Sequence, residues 1–414
     1  MRKAVAAVAV VAASTVAALA GNNGQDFAQI ERGRYLAAAG DCAGCHTAVG
    51  GADFAGGMAI ETPFGKVVAA NITPDRETGI GAWSDDDFVR ALTEGVARDG
   101  THLYPAMPYP YYTKVSRGDV LAIRAYLTTV PAVHNPVTSD QLPFPLNQRA
   151  DMAVWNKLYF HSGEYRPVAG KSAVWNRGGY LVEGLMHCGA CHTPKNTAGG
   201  DYLDRPLKGY ALQGWFAPDI SGDTRRGIGS WSADDLVTYL KTGHNRFAAA
   251  TGPMADVVAK SSSKLTDADL RDVATYLKDQ PGLEGEEEAA QASPVDAGNS
   301  QMQAGAAIYT DECSACHTPK GTGVLNLFPS LAGAPSVQSA DPTSLIRVVL
   351  GGTRSVATDQ APTGPAMPAF AWLLDDRRAA AVLTYIRNSW GNAAAAVTAA
   401  QVQSERADLA KRTE

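Results

Sequence analysis

The pattern of hydrophobic and polar positions repeats three times along this chain. In each copy, a stretch with helical spacing leads into a short cysteine-containing segment, and another helical stretch closes the copy. The leading stretches read ERGRYLAAAGD, RGGYLVEGLMH and AGAAIYTDE, and the closing ones read SRGDVLAIRAYL, TDADLRDVATYL and DDRRAAAVLTYI. We expect the tyrosine of each closing stretch (Tyr126, Tyr276 and Tyr385) to pack against the leading helix. No long alternating stretch of the kind that strands produce is present, so the pattern predicts an all-α protein.

A middle helix is predicted between the leading and closing helices of the first two copies. Ser84 and Ser232 each precede an acidic first turn, and both features favour the start of a helix. In the second copy, Leu236 and Leu240 keep helical spacing, and Gly243 marks the C-terminal end.

A duplication covers most of the first two thirds of the chain. The segment NITPDRETGIGAWS, which begins at Asn71, matches DISGDTRRGIGSWS, which begins at Asp219. The offset is 148 residues between these segments and 146 residues between His46 and His192. A repeat at a nearly constant offset indicates a duplicated structural unit. The third unit is shorter and more diverged.

The repeats and the composition between them predict the boundaries of the chain's parts. In chain order these are a signal peptide (1–20), a first unit (25–150), a second unit (168–282), an acidic linker (283–300), a third unit (301–392) and an alanine-rich, then charged tail (393–414). A helical bridge, DMAVWNKLYFHSGEYRP, is predicted between the first two units. The tail has a thin apolar face of Val397, Val402 and Leu409. That face fits either a helix that touches a membrane or partner, or a solvated helix.

The N-terminal segment has the features of an export signal. Arg2 and Lys3 precede a short apolar run, and Ala18-Leu19-Ala20 fits the small-x-small pattern of a cleavage site. A membrane-anchoring helix is the alternative, which we favour less because the run is short and poor in leucine. The rest of the composition argues against nucleic acid as a partner: the net charge is −6, and there is no basic run.

Six cysteines form three pairs with two intervening residues, and a histidine follows each pair directly. The motifs are CAGCH (Cys42, Cys45, His46), CGACH (Cys188, Cys191, His192) and CSACH (Cys313, Cys316, His317). Redox dithiols do not require the histidine, disulfides leave it unexplained, and zinc sites need further ligands that do not follow at zinc spacing. Cys-x-x-Cys-His is the attachment motif of c-type haem, in which both thiols form thioethers and the histidine binds iron. The sequence therefore predicts three covalently bound haem c groups.

Three methionines are candidates for the sixth position on iron. Met107, Met254 and Met367 lie in predicted loops that contain proline or glycine, 61, 62 and 50 residues after the motif histidines. In the first unit Met58 is the rival candidate. Methionine is a common second ligand in electron-carrying cytochromes and raises the potential. If all three irons have two protein ligands, the chain transfers electrons and is not itself the catalytic subunit. An open iron would instead indicate a peroxidase-like enzyme.

The motif set resembles the triheme cytochrome c subunit of bacterial membrane-associated dehydrogenases for alcohols, aldehydes, gluconate, sorbitol, fructose and glucose. The resemblance is carried by the three CxxCH motifs and by NITPDRETGIGAWS, HLYPAMPYPYY, RGGYLVEGLMHCGACHTPKN, LQGWFAPDISGD, GPMADVV and GPAMPAF. It implies three tandem class I cytochrome c-like domains, with iron ligands His46/Met107, His192/Met254 and His317/Met367.

The same resemblance implies a role within a complex. The partner would be a catalytic dehydrogenase subunit with a flavin, quinone or molybdenum cofactor, and the electron acceptor would be ubiquinone or a terminal oxidase. The expected location is the periplasm, at the outer face of the cytoplasmic membrane. A freestanding periplasmic electron shuttle remains as an alternative.

Overall fold

A computed structural model describes residues 26–138, 140–282 and 294–412. The predicted signal peptide (1–20) lies outside the described residues, as does most of the predicted acidic linker. Regular structure in the described ranges is mainly helical, which confirms the all-α prediction. The division into three tandem domains stays a prediction.

The helices follow one another in the order that the sequence pattern predicts. The first unit contains α1 (Phe27–Ala39), α2 (Cys42–His46), β1 (Ala59–Thr62), β2 (Gly65–Val68), α3 (Asp85–Glu94), α4 (Tyr109–Tyr112) and α5 (Arg117–Leu127). A bridge helix, α6 (Met152–Tyr159), follows at the predicted place. The second unit contains α7 (Ala173–Tyr180), a π-helical turn (Leu181–Leu185), α8 (Gly189–His192), β3 (Tyr210–Leu212), β4 (Trp215–Ala217), α9 (Ala233–Thr242), α10 (Pro253–Lys260) and α11 (Asp267–Lys278).

The third unit keeps the leading and closing helices but differs between them. Its elements are α12 (Ser300–Ile308), a π-helical turn (Tyr309–Cys313), α13 (Ser314–His317), α14 (Pro335–Gln338), α15 (Thr343–Gly351), β5 (Thr353–Arg354), β6 (Ala366–Met367) and α16 (Asp376–Arg387), followed by the tail helix α17 (Ala399–Arg412). The strands of all three units pair as short antiparallel hairpins: β1 with β2, β3 with β4, and β5 with β6. Strands of two to four residues are too short to produce an alternating pattern in the sequence.

The residues predicted to start and end the middle helices do so in the structure. Ser84 caps α3 and Ser232 caps α9, each through a reciprocal capping box with the aspartate three residues later. Gly243 ends α9 in the left-handed conformation, with φ 80°, which glycine adopts at little cost.

A glycine lies at the point where the leading helix crosses the closing helix in every unit. These glycines are Gly33 on α1, Gly178 on α7 and Gly305 on α12. A β-carbon there would lie 1.8, 2.0 and 2.2 Å, respectively, from a backbone oxygen of the closing helix. The tyrosines Tyr126, Tyr276 and Tyr385 lie beside these crossings, with β-carbons 3.0, 2.8 and 2.7 Å from the same points. Their predicted packing role is confirmed, and the close backbone contact explains why a glycine occupies each crossing.

The buried apolar side chains form two clusters in the described part of the chain. One cluster combines residues of the first and second units, such as Leu36 and Val120 with Leu181 and Leu270. The other cluster belongs to the third unit. The duplicated units therefore share a core, and the third unit builds its own.

The C-terminal tail packs back on the third unit. Val397 and Val402 are 1% and 0% exposed, and both belong to the core of that unit. The buried Arg347 of α15 holds the tail helix through Glu405 and Asp408, at 3.1 and 2.7 Å. The apolar face that the sequence suggested for a membrane or for solvent is thus used inside the molecule. Within the described ranges, the structure contains no helix that is both long and apolar enough to span a bilayer.

Candidate haem sites

In each motif the second cysteine and the histidine lie on a short helix that follows the leading helix. The first cysteine lies inside this helix in the first unit and directly before it in the other two. The chain enters the first two motif helices, α2 and α8, through residues in the left-handed region, Asp41 with φ 50° and His187 with φ 39°. The third motif helix, α13, follows a π-helical turn, and the left-handed residue is Thr318 after the histidine, with φ 64°. In all three units the motif follows the leading helix, so its two cysteines and its histidine lie beyond the C-terminal end of that helix.

The six thiols are free, and most of them are in apolar surroundings. Burial raises the pKa of Cys42 and Cys188 to about 12, and that of Cys313 to about 11. Reactive dithiols and zinc thiolates need a lowered thiol pKa, usually from a nearby positive group. The environment therefore argues against reactive dithiols and fits thiols that are consumed in thioether bonds.

The three motif histidines are oriented in the same way. Nδ1 of His46 lies 2.7 Å from the carbonyl oxygen of Ala70, and Nδ1 of His192 lies 2.7 Å from that of Pro218. In the third unit, Nδ1 of His317 lies 3.1 Å from the carbonyl oxygen of Pro329. A carbonyl oxygen only accepts, so Nδ1 carries the proton and Nε2 keeps the lone pair that a metal requires. The burial that lowers the pKa of all three histidines also favours the neutral, ligating form.

In the third unit, the four predicted ligating or attaching residues lie on one cavity. Cys313, Cys316, His317 and Met367 all line it, and most of the remaining wall is apolar. The sequence predicted a loop at Met367, and this prediction is wrong, because Met367 lies in the short strand β6, which pairs with β5. An apolar cavity with two thiols and two axial donors at its walls matches the chemistry of a haem that is covalently attached and ligated by histidine and methionine.

In the first unit, the structure separates the two rival methionines. Met107 packs against the same hydrophobic core as Cys42, between α3 and α4. Met58 precedes β1, where its carbonyl accepts a hydrogen bond from the amide of Ala69 at 2.9 Å, and its side chain is not part of that cluster. Met107 shares this core with Cys42, the predicted attaching residue, and Met58 does not, which favours Met107 over Met58.

In the second unit, Met254 and Cys188 pack against this common core as well. The sequence predicted a loop at Met254, and this prediction is wrong, because Met254 lies in the first turn of α10. Pro253 at the first helical position is already in a helical conformation, and Gly252, with φ 54°, makes the turn that precedes it. A methionine in a first turn still projects from the end of a helix.

The residues that orient the histidines were not predicted from the sequence. Ala70 and Pro218 contribute only backbone carbonyls, so their side chains carry no signal of this role. Their position was nevertheless visible, because each directly precedes the first residue of the repeated segment that starts at Asn71 or Asp219. Pro329, in the diverged third unit, has no such marker.

Known proteins resemble this chain over nearly its whole length. A cytochrome c family profile matches residues 177–281 and 302–390, which include the second and third motifs. The gluconate 2-dehydrogenase cytochrome c subunit of Pantoea cypripedii is 42% identical over 410 residues, covering 95% of this chain and 92% of the relative. The cytochrome c subunit of the quinone-type alcohol dehydrogenase of Gluconobacter oxydans (strain 621H) is 39% identical, covering 92% and 83%. The fructose dehydrogenase cytochrome subunit of Gluconobacter japonicus is 37% identical, covering 91% and 82%.

Proposed function

Because this chain belongs to the family of cytochrome c subunits of gluconate, alcohol and fructose dehydrogenases, we propose that it is the triheme electron-transfer subunit of such a complex. The proposed number of three haem groups rests on one observation: all three motifs have the same local geometry. Each motif places two free cysteines in or directly before a short helix, and Nδ1 of its histidine contacts a backbone carbonyl oxygen. The function would thus be organised as three tandem cytochrome c-like domains.

The residues that would hold the three groups follow from this geometry. Cys42, Cys45, Cys188, Cys191, Cys313 and Cys316 would form the thioethers. His46, His192 and His317 would each give Nε2 to iron, and Met107, Met254 and Met367 would each supply sulfur as the second protein ligand. When bound, each haem supplies an iron that takes up and releases one electron.

The polypeptide contributes orientation, polarity and access. The carbonyl oxygens of Ala70, Pro218 and Pro329 fix the histidine rings and increase the basicity of Nε2. The apolar walls keep water from the sites, and methionine sulfur favours the reduced metal, so both features raise the potential. With two protein ligands for each metal, substrate oxidation would take place in a partner chain.

The proposed partner is a catalytic dehydrogenase subunit with a flavin, quinone or molybdenum cofactor. Ubiquinone or a terminal oxidase would accept the electrons. The proposed location is the periplasm, at the outer face of the cytoplasmic membrane, after removal of the signal peptide at residues 1–20. The similarity to cytochrome subunits of dehydrogenases supports the dehydrogenase partner, and the N-terminal sequence supports export.

The number of groups is tested by the mass of the exported protein. We expect the mature chain to carry the added mass of three haems, and replacement of both cysteines of one motif by alanine to remove one of them. A folded chain that carries none would contradict the proposal, and a chain that carries two would identify a motif that is not used.

The methionine assignments are tested by single replacements. Met107→Leu, Met254→Leu and Met367→Leu should each lower one potential and leave three covalent haems in place, because sulfur ligation is lost but the thioethers remain. Met58→Leu is the matched control in the first unit and should leave all potentials unchanged. If Met58→Leu shifts the first-site potential and Met107→Leu does not, the assignment is wrong.

The role in a complex is tested by purification from the native source. We expect a large dehydrogenase subunit to copurify and its substrate to reduce the haems. Low-spin spectra from all three sites would reject the peroxidase-like alternative, whereas one high-spin site would support it. Isolation of the chain alone, without reduction by any copurifying dehydrogenase, would support the freestanding shuttle instead.

A further inference from the structure

The methionine-bearing segment of the first unit contacts the motif helix of the second unit. Tyr111, four residues after Met107, lies in α4, and α4 packs against the π-helical turn that leads into the second motif. The relation is reciprocal, because α10 of the second unit, which carries Met254, packs against α2 of the first. In each of the first two units, an element at or next to the predicted methionine ligand therefore packs against the motif region of the other unit.

The contact of Tyr111 with the second motif is close. A β-carbon at Gly189 would lie 2.8 Å from Cε1 of Tyr111 and 3.0 Å from its hydroxyl oxygen. Gly189 is the first residue between the cysteines of CGACH, and the other two motifs have Ala43 and Ser314 at that position. The glycine in the second motif is thus explained by the phenol ring of the first unit that lies against it.

A polar network holds the phenol in place. The Tyr111 hydroxyl donates to Oδ2 of Asp201, and the ammonium group of Lys195 donates to Oδ1 of the same carboxylate. The Lys195 and Asp201 side chains are only 17% and 20% exposed. Lys195 also lies 6.0 Å from the centre of the Tyr111 ring, at cation–π distance, and it follows His192 by three residues. A largely buried ion pair beside the second site thus depends on a donor from the first unit.

We propose that Tyr111 is a positioning residue that couples the first and second haem sites, because it ties the segment with Met107 to the helix with Cys191 and His192. The proposal rests on the proposed haem function. The phenol fixes the distance between the two sites and partly neutralises the Asp201 carboxylate. Since charges near a poorly solvated site act strongly on its potential, the hydroxyl also sets the potential of the second site.

Removing the Tyr111 hydroxyl and removing the Asp201 charge should shift the potential of the second site in opposite directions. Tyr111→Phe keeps the ring against Gly189 but leaves Asp201 with one donor fewer, so the negative field at the second site grows and its potential falls. Asp201→Asn leaves the Lys195 charge without its partner, so the potential of the second site rises. If both act through one contact, Tyr111→Phe has no further effect in the Asp201→Asn background.

The test is a redox titration of the intact protein, with the three steps assigned by the methionine variants described above. The matched control is Tyr109→Phe in the same helix, which loses a 2.5 Å hydrogen bond to Asn156 of the bridge helix and not one to the second unit. We expect Tyr111→Phe to lower the second-site potential and to change how reduction of one of the first two sites affects the other. The third site should stay unchanged, as should every site in Tyr109→Phe.

Several outcomes would overturn the proposal. One is a Tyr111→Phe protein with three covalent haems and unchanged first and second potentials. Another is an equal change in Tyr109→Phe, which would show a general loosening of α4. Additive effects of Tyr111→Phe and Asp201→Asn would show that the two groups act separately. Covalent haem is counted by mass in every variant, so a failure of the haem function itself is seen as missing mass and not as an unchanged potential.

Discussion

The first two units are joined to each other in a different way from the third unit. The first and second units bury side chains in one common core, whereas the third has a core of its own. The third unit meets the second through packing contacts, such as that of Val356 with Gly243, and through hydrogen bonds, such as those of Ser344 to both backbone groups of Phe216, at 2.9 and 3.1 Å. The comparison indicates that the duplicated units form one structural body, to which the third unit is docked.

Two matching contacts join the duplicated units. In each, an aspartate near the start of a closing helix accepts from an arginine of its own unit and from a tyrosine of the other unit. The residues are Arg32, Asp119 and Tyr180 in one contact, and Arg177, Asp269 and Tyr35 in the other. The shortest arginine distances are 2.5 and 2.8 Å, and the tyrosine distance is 2.6 Å in both. The third unit has Arg378 at the equivalent helical position, so it lacks the carboxylate that such a contact needs.

The largest effect on stability is expected from adding a β-carbon at a glycine where two helices cross. Gly33→Ala places a β-carbon 1.8 Å from the backbone oxygen of Ala122, and Gly305→Ala places one 2.2 Å from that of Ala381. Displacing packed backbone costs about 3 kcal/mol. Gly33→Ala should therefore destabilise the first and second units together, and Gly305→Ala only the third. Hydrogen exchange detected by mass spectrometry, with the exchange assigned to segments of the chain, measures the stability of each unit.

The control for the crossing variants is Gly118→Ala. Gly118 lies in α5, and a β-carbon there meets no atom within 4 Å. Alanine is the better helix former, so this change should stabilise the protein by about 0.5–1 kcal/mol. If Gly33→Ala raised hydrogen exchange in the first unit alone, the first two units would not share one cooperative core. That result would contradict the conclusion that they form one structural body.

A smaller effect, confined to the third unit, is expected from Arg387→Leu. The Arg387 side chain is fully buried and donates to the carbonyl oxygens of Ala395, Val337 and Ser339, at 3.0, 3.0 and 2.9 Å. It thereby connects α16 to α14 and to the tail. Three buried carbonyls lose their donor in the variant, which should cost about 2 kcal/mol. Urea unfolding with segment-resolved exchange should show the loss in residues 301–412, and the exposed Arg377→Leu should show little change.

The sequence predicted the parts of this structure that depend on local rules. Ser84 and Ser232 start helices and Gly243 ends one, as predicted, because capping depends on a few adjacent residues. The motif histidines were recognised because their chemistry requires a fixed spacing from the cysteines. The carbonyls of Ala70 and Pro218, the helical position of Met254 and the docking of the tail were not predicted. They depend on segments that meet only in the folded chain, and a backbone oxygen leaves no trace in the sequence.

The contact between the duplicated units should make their stability depend on pH. Burial raises the pKa of Asp269, but hydrogen bonds from Arg177 and Tyr35 outweigh it and hold the pKa below its ordinary value. A lowered pKa in the folded state means that the carboxylate stabilises the fold above about pH 4 and that this contribution is lost as the pH falls through the folded-state pKa.

Asp269→Asn tests this dependence. We expect a loss of about 1.5 kcal/mol at pH 7, since charged hydrogen bonds are lost, and a difference from the wild type that shrinks below about pH 4. Denaturant unfolding at several pH values measures the difference. Asp234→Asn, which removes a pair with Arg271 whose two side chains are 75% and 56% exposed, is the control and should show neither effect. A difference that grew toward low pH would contradict the sign of the argument.

The smallest effect is expected at the surface pair that spans the second and third units. Lys264 lies 3.1 Å from Asp359, and the two side chains are 44% and 79% exposed, so water and salt screen the attraction. Asp359→Asn should therefore change the unfolding free energy by about 0.3 kcal/mol, and the change should disappear in about 1 M salt.

The control is Glu31→Gln, which removes a similarly exposed pair with Arg34 inside α1 and should not alter exchange in the third unit. Because Val356 packs against Gly243 close to this pair, backbone exchange at residues 353–359 reports on the docking. A loss above about 1 kcal/mol would mean that this ion pair, rather than the hydrogen bonds of Ser344, holds the third unit in place.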